Sequence, residues 1–327
     1  MPETNNVWAL VLAAGEGSRL KSLTTAPSGT AVPKQFCSLF DGPPLLHEAL
    51  RRAHTLTDES HTCVVVAEQH RRWWQDALTA LPTDNVIVQP RNCGTAVGIL
   101  LPLLQIIARD PQANLVLLPS DHLVQQESVL ASSLAAALEQ LRWRTQETLL
   151  MGIEPEEADP ELGYIVPGEG DGRGAMTVTR FVEKPSLAQT RELIRAGGLW
   201  NAFIVVASAQ ALLELFRARV APVVVAMQCA LAAERTQPGK GRLAALYEAL
   251  PSLDFSRDIV AGQEQAFRVL TVPTCGWSDL GTPRRVEEAL RKGPRPGAAI
   301  RVRASTAFLS LAAQHHRLHV LQSAAGA

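Results

Sequence analysis

The sequence predicts an α/β fold built on a mostly parallel twisted sheet with helices on both faces, and three observations lead there. Short apolar runs at 7–14, 63–67, 85–88, 115–118 and 149–153 read as buried strands. Between them, 44–56, 71–81, 95–109 and 126–142 carry apolar residues at spacings of three and four, as amphipathic helices do. Strands alternating with helices make parallel sheets covered on both sides. Finally, the first run ends in Gly15-Glu16-Gly17-Ser18-Arg19, a glycine turn at a strand's carboxyl end, where open α/β sheets bind ligands.

Past residue 155 the texture changes. Residues 163–166 and 176–182 read as strands joined by a glycine-rich acidic connection at 168–174, Trp200 to Phe203 begin another apolar run, and 267–272 is a further strand candidate. The stretches 212–216 and 223–233 are helical by pattern, with Pro222 admissible in a first turn, and another helix should start near Pro283. Pro294, Pro296 and Gly297 make a linker, after which 300–303 and 318–320 alternate like half-exposed strands. The chain therefore divides into a body, 1–292, with halves at about 1–155 and 156–292, and a short β-rich C-terminal tail, 293–327. The tail reads as a packing flap or a homo-oligomer contact. Its His315, His316 and His319 have no cysteine or carboxylate nearby to complete a metal site.

Composition bounds the function. With 327 residues, 46% hydrophobic and 19% charged, the chain can bury a sizeable core and shows no sign of disorder. The 31 basic and 32 acidic residues leave a net charge of −1, which gives no bulk attraction to nucleic acid or to a membrane surface. Five scattered cysteines without a CxxC favour reduced thiols and a cytoplasmic setting. The start lacks the basic segment of a signal peptide, and the apolar runs near Phe203 and at 220–233 fall short of a membrane span.

The opening turn carries the first chemistry. Gly15 and Gly17 let backbone approach an anion, successive N–H groups there can form a nest for phosphate, and Arg19 with Lys34 adds fixed positive charge. A polyphosphate fits this description. Leu20 stands where a dinucleotide fingerprint needs its third glycine, and no Gly-Lys-Ser/Thr follows to make a Walker loop.

Further along, Arg91 to Ala96 join a strand to a helix, and Gly94-Thr95 serve either as a helix cap or as a backbone platform for a nucleotide base. Leu115 to His122 end a buried strand in Asp121. That aspartate either caps the next helix or holds Mg²⁺, which takes one or two carboxylates plus phosphate oxygens. His122 orients its neighbour or faces solvent. Glu183 and Lys184 close a strand in FVEKP, and by themselves read as an ordinary solvated strand end. Asn201 can donate and accept toward a hydroxyl. Asp279, in GWSDLGT at 276–282, lies between a strand and a helix start, so capping is again open to it.

Six ordered segments, LAAGEGSRL, PKQF, CGTA, LPSDH, FVEKP and WSDLG, together resemble the sugar-nucleotide pyrophosphorylases, a nucleotidyltransferase family, and PKQF is most similar to its mannose-1-phosphate guanylyltransferase branch. The resemblance covers roughly 7–291. It implies a Rossmann-like, glycosyltransferase-A-like fold and transfer of a nucleotidyl group from an NTP, GTP by that branch, to a sugar 1-phosphate such as mannose 1-phosphate. It also implies Mg²⁺ on Asp121 and Asp279, and catalytic charge from Arg19, Lys34 and Lys184. Nucleotide contacts would come from Ala13, Ala14, Gly15, Gly17, Ser18, Gly94, Thr95 and Ala96, and sugar contacts from Gly163, Glu183 and Asn201.

Two departures stand out. Ala202-Phe203 replace the branch's Ser-Gly after Trp-Asn, which places the identity of the sugar in question, and Lys21-Ser22 replace its aromatic-proline. Asp258 matches its family segment only loosely. Another NTP and hexose pair, or a non-catalytic sugar-nucleotide sensor on the same fold, are the alternatives.

Overall fold

The computed structural model describes residues 6–25, 29–38, 42–237, 239 and 241–291. The expectations for the tail, 293–327, lie outside the described residues. Among the described residues nine strands form one sheet: β1 (Val7–Ala13), β2 (Thr62–Ala67), β3 (Val86–Gln89), β4 (Asn114–Pro119), β5 (Thr148–Ile153), β6 (Tyr164–Gly170), β7 (Ala175–Val182), β8 (Leu199–Ser208) and β9 (Phe267–Val272). Their order is β3-β2-β1-β4-β8-β5-β9-β7-β6, with a second pairing of β6 to β8.

The first four strands pair in parallel, as predicted. Beyond them the sheet is mixed. β8 runs antiparallel between β4 and β5, and β7 runs antiparallel to β6 and β9, so β5–β9 is the one parallel pairing among the described strands of that half. Because β6 returns to β8 through Tyr164↔Trp200 and Ile165↔Leu199, strands β8, β5, β9, β7 and β6 close into a small ring. The physical reason for the difference lies in β8: an antiparallel strand buried on both faces has the same continuous apolar signature as a parallel one.

Both faces of the sheet are covered. Ala9, Val11 and Ala13 of β1 face a core shared with helices α2 (Leu45–Ala53), α5 (Glu127–Leu141), α6 (Leu187–Arg195) and α9 (Pro283–Arg291). The alternate residues Trp8 and Leu10 face a second core with α4 (Gly94–Arg109), α7 (Ala209–Thr236) and α8 (Arg242–Ala249). Period-two alternation assigns residues to the two cores. Two further helices of one turn are α1 (Lys21–Thr24) and α3 (Arg71–Trp74).

Helix α7 joins the two segments expected separately, bending at Val220, the residue with non-helical torsions. Its 28 residues, with a mean hydropathy of 1.5 in the most apolar window, are long and apolar enough to cross a membrane, contrary to the expectation from the shorter runs. Here its apolar residues Leu212, Leu213, Leu215, Phe216, Val224 and Met227 are buried against α4, α8 and the sheet.

Candidate active site

The strand order brings the carboxyl ends of β1, β4, β5 and β9 to one edge, and the antiparallel β8 delivers its beginning to the same edge. The opening turn leaves β1 there. Gly17 has φ 60°, and a Cβ on it would lie 3.1 Å from the Lys34 backbone nitrogen, so glycine is what lets the turn pass over Lys34. Gln35, 2% exposed, donates its side-chain amide to the carbonyls of Ala13 and Gly15, both at 2.9 Å. Tying those carbonyls down fixes the loop spanning Ala13, Ala14 and Gly15. Gln35 was not among the predicted site residues. Ser18 starts the short turn that carries Arg19, whose guanidinium reaches to 3.8 Å from Glu161 on the far side.

Lys34 organises the centre. Its side chain is almost fully buried, and its Nζ lies 2.9 Å from Asp121 Oδ2 and 2.5 Å from the carbonyl oxygen of Asp279. The two aspartates, 158 residues apart in the chain, are brought together by a backbone bridge in which Leu123 and Ser278 exchange hydrogen bonds of 2.9 Å in both directions. Gln125 and Gln126 add N–H donors to the Cys275 carbonyl, at 3.1 and 2.9 Å. Neither aspartate acts as the helix cap left open by the sequence. Helix α5 begins at Glu127 with Gln126 before it, and Thr282 Oγ1 accepts from the Arg285 N–H at the start of α9.

Asp279 Oδ1 accepts from the Gly281 N–H at 2.9 Å and from the Arg285 guanidinium, which also donates through Nε to the buried Asp159 at 2.8 Å. Arg285 is a second residue that the sequence reading missed. Burial alone would raise the Asp279 carboxyl, but Arg285, His122 and Lys34 hold it below its ordinary value. Asp121 behaves alike, with burial opposed by Lys34 and His122. Burial lowers the His122 pKa to about 4 against the pull of Asp121, and its Nδ1 accepts from Trp277 Nε1 at 3.2 Å. It thus orients its surroundings.

The donor chemistry fits Mg²⁺. Both carboxylates are held ionised, and Lys34 ties the two residues together, Asp121 through its carboxylate and Asp279 through its backbone carbonyl, while Asp279 Oδ1 accepts from Gly281 and Arg285. Among the described residues no group of three or more His, Cys, Asp or Glu forms a ligand cluster, and an ion that keeps waters and phosphate oxygens needs only one or two carboxylates.

Residues 93–96 pack against 253–255. Gly94 has φ 87° and a Cβ there would sit 2.2 Å from the Leu253 carbonyl oxygen. The Gly94 N–H donates to Asn92 Oδ1 at 2.9 Å and the Ala96 N–H to the Leu253 carbonyl at 3.0 Å. Thr95 does not cap its own helix; its hydroxyl accepts from the Phe255 N–H at 2.8 Å and donates to Asp254 Oδ2 at 3.2 Å. A cavity of about 220 Å³ opens between this segment and the β1 turn, lined by Ala14, Gly15, Gly94, Thr95 and Asp121.

Gly163, Glu183 and Asn201 meet on the other side. A Cβ on Gly163 would fall 2.7 Å from Glu183 Oε2 and 3.5 Å from Asn201 Cβ, and the Asn201 N–H donates to the Gly163 carbonyl at 2.8 Å. The Glu183 carboxyl is raised, chiefly by lost hydration and further by Asp254 and Asp279, against the opposing charges of Lys184 and Arg19. Among the described residues, the three non-glycine residues with positive φ are Lys184 (47°), Phe203 (55°) and Leu280 (48°). Each adjoins a carboxylate or amide of this cleft, and left-handed torsions in ordinary residues concentrate at functional sites. Asp258 pairs with Arg257, and its Oδ2 accepts from the Asp254 N–H at 2.7 Å.

Comparison with known proteins agrees with this geometry. The model of the family described as nucleotidyl transferase matches residues 8–294. The alginate biosynthesis protein AlgA of Pseudomonas aeruginosa is 29% identical over 285 residues, 84% of this chain and 56% of that protein. Mannose-1-phosphate guanylyltransferase 2 of Escherichia coli O157:H7 is 32% identical over 222 residues, 64% of this chain and 44% of that protein. The chain thus spans about half the length of these curated relatives. A crystal structure of mannose-1-phosphate geranyltransferase from Thermus thermophilus superposes with a TM-score of 0.74 at 27% identity, covering 88% of this chain and 80% of that one. With a family match across most of its length and the cleft that its motifs assemble, this chain belongs to the nucleotidyl transferase family.

Proposed function

We propose that this chain transfers a nucleotidyl group from an NTP to a sugar 1-phosphate, releasing pyrophosphate, and that the pair is GTP and mannose 1-phosphate. The observation that carries this reading is the meeting of Asp121, Asp279 and Lys34 beside a glycine turn whose carbonyls are pinned by Gln35. Mannose 1-phosphate stands in the names of two of the relatives above, and guanylyl transfer in one of them, which supports the choice of pair.

The sugar-phosphate oxygen is already anionic at neutral pH, so no protein nucleophile is needed. What is needed is to bring two polyanions together and to hold the charge that develops on the α-phosphoryl group and the leaving pyrophosphate. Asp121 and Asp279 would hold Mg²⁺, which would supply charge neutralisation to the phosphates. Arg19 and Lys34 steady the triphosphate above the loop of Ala13, Ala14, Gly15, Gly17 and Ser18. Gly94 and Thr95 form the nucleoside side of the cavity, with Ala96 next to them in the chain and buried. Glu183 and Asn201 take the sugar hydroxyls beside Gly163, and Lys184 meets the sugar phosphate and keeps it in line. The half before about residue 155 supplies the glycine turn and the Gly94 segment, and the half after it supplies Gly163, Glu183, Lys184 and Asn201.

A screen of four NTPs against a panel of sugar 1-phosphates with Mg²⁺, read as pyrophosphate release, tests the reading. Turnover with GTP and mannose 1-phosphate above all other pairs is the expected result. A different preferred pair corrects the substrates. Absence of turnover with every pair, together with retained sugar-nucleotide binding, leaves a sensor in place of an enzyme.

A further inference from the structure

The geometry points to Phe203 as the residue that sets which nucleoside this site accepts, an inference that rests on the NTP-binding role proposed above. The sequence departure at Trp-Asn-Ala-Phe raised the question of the sugar. The structure directs the Phe203 side chain elsewhere.

Phe203 lies in an irregular stretch of β8. The ladder to β5 pairs Leu150 with Val205 and then Gly152 with Asn201, so residues 202–204 stand opposite Met151 alone. Bulges of this kind re-aim a side chain and are frequent beside active sites. At its centre Phe203 adopts φ 55°, a conformation natural to glycine and strained for phenylalanine. The bulge is held in place from several directions: Ala202 and Ile204 are 0% and 1% exposed, and the Phe203 N–H donates to Asn201 Oδ1 at 3.1 Å.

Phe203 lines the cavity of about 220 Å³ together with Gly15, Gly94, Thr95, Asp121 and His122. Its ring meets Phe255 edge to face at 5.9 Å between centroids, and the Phe255 N–H is the donor to Thr95 Oγ1. Phe203 is thus coupled to the segment that flanks Gly94 and Thr95. The proposed sugar contacts Gly163 and Glu183 do not line this cavity. A planar apolar side chain there, in a position where the backbone gives it no conformational advantage, contributes contact with a flat ring and limits the width available to it. The chemistry recognised is the base and ribose of the nucleotide, by stacking and size, and the triphosphate is left to the glycine turn and Lys34.

The decisive variant is Phe203→Gly, because glycine adopts φ 55° without strain and removes the ring alone. Dissociation constants for ATP, GTP, CTP and UTP with Mg²⁺, and for inorganic tripolyphosphate as a probe of the phosphate cradle, are measured by calorimetry on the full chain. The ratio of weakest to tightest nucleotide should fall at least tenfold in the variant, while tripolyphosphate binding stays within twofold and the KM for the sugar 1-phosphate stays within threefold. The inference is overturned by an unchanged nucleotide ratio, by a parallel loss of tripolyphosphate binding, by a change confined to the sugar, or by a wild-type protein that shows no nucleotide preference. Should the glycine variant fail to fold, Phe203→Leu keeps apolar bulk against Phe255 without the planar face and must show the same loss of discrimination. Nucleotide and tripolyphosphate binding are scored without turnover, so a wild type that discriminates among nucleotides but releases no pyrophosphate contradicts the enzymatic reading and leaves the role of Phe203 standing.

Discussion

Replacing Gly94 by alanine tests how the nucleotide side of the cleft is built. Two costs add. At φ 87° an L-residue is strained by about 1–2 kcal/mol. The new Cβ would also meet the Leu253 carbonyl oxygen at 2.2 Å, its carbonyl carbon at 2.8 Å and its nitrogen at 2.9 Å, all backbone atoms that no rotamer change can move aside. Overpacking of this sort costs about 1–3 kcal/mol. Leu253 cannot retreat cheaply, since its N–H donates to the Cys93 carbonyl and its own carbonyl accepts from Ala96, both at 3.0 Å. The sum is about 2–5 kcal/mol, a large share of the roughly 5–15 kcal/mol that a typical protein has. Urea unfolding of Gly94→Ala measures it, with Gly197→Ala as the control: φ is 77° there but nothing lies within 4 Å of the added carbon, so only strain of about 1–2 kcal/mol is expected. Nucleotide affinity should fall in Gly94→Ala as well, because 253–255 hold Thr95. Equal losses in the two variants would refute the close-packing argument.

Other consequences follow from the same geometry. Gln35→Leu leaves the carbonyls of Ala13 and Gly15 without their donor, and should cost about 1–3 kcal/mol by denaturant titration and raise the KM for the NTP. Glu183 accepts sugar hydroxyls more strongly when ionised, and its pKa is raised above the ordinary 4.5. The KM for the sugar 1-phosphate should therefore climb as pH falls, with a midpoint above that value, and Glu183→Gln should lack this limb of the profile. Asp159 is held below the ordinary aspartate value of 3.8 by Arg285 and Arg284 against its own burial. Its contribution is therefore present at neutral pH and lost as pH falls from that value through the depressed one. Removing one partner of a buried pair costs about 3–5 kcal/mol, so Asp159→Asn should be destabilised by about that much at pH 7, and the gap to the wild type should close on acidification.

What could be read from the chain beforehand follows from the range of each signal. Apolar runs and glycine turns are local, and the strands at 7–13, 114–119 and 267–272 lie within two residues of where the pattern puts them. Strand direction is not local, which is why the insertion of β8 went unread. Helix α6 was missed although its start carries a capping box, Ser186 with Gln189, that the residues themselves display. Gln35 and Arg285 were illegible for a different reason. The carbonyls that Gln35 holds are 20 and 22 residues away, and Arg285 binds Asp159 across 126, so no spacing rule points to either. The three capping alternatives, at Thr95, Asp121 and Asp279, were reasonable by propensity and were displaced by tertiary partners: Phe255 and Asp254 for the first, Lys34 for the second, Arg285 for the third.

The most direct test of the central claim is a titration with Mn²⁺, a paramagnetic substitute for Mg²⁺, in the presence of GTP, followed by electron paramagnetic resonance on the wild type, Asp121→Asn and Asp279→Asn. Two carboxylates sharing one ion predict a single site in the wild type, weakened at least tenfold by either substitution and further still by the pair. Undiminished Mn²⁺ binding in Asp279→Asn, or two Mn²⁺ sites of which each substitution removes a different one, would mean that the two aspartates do not act on the same ion.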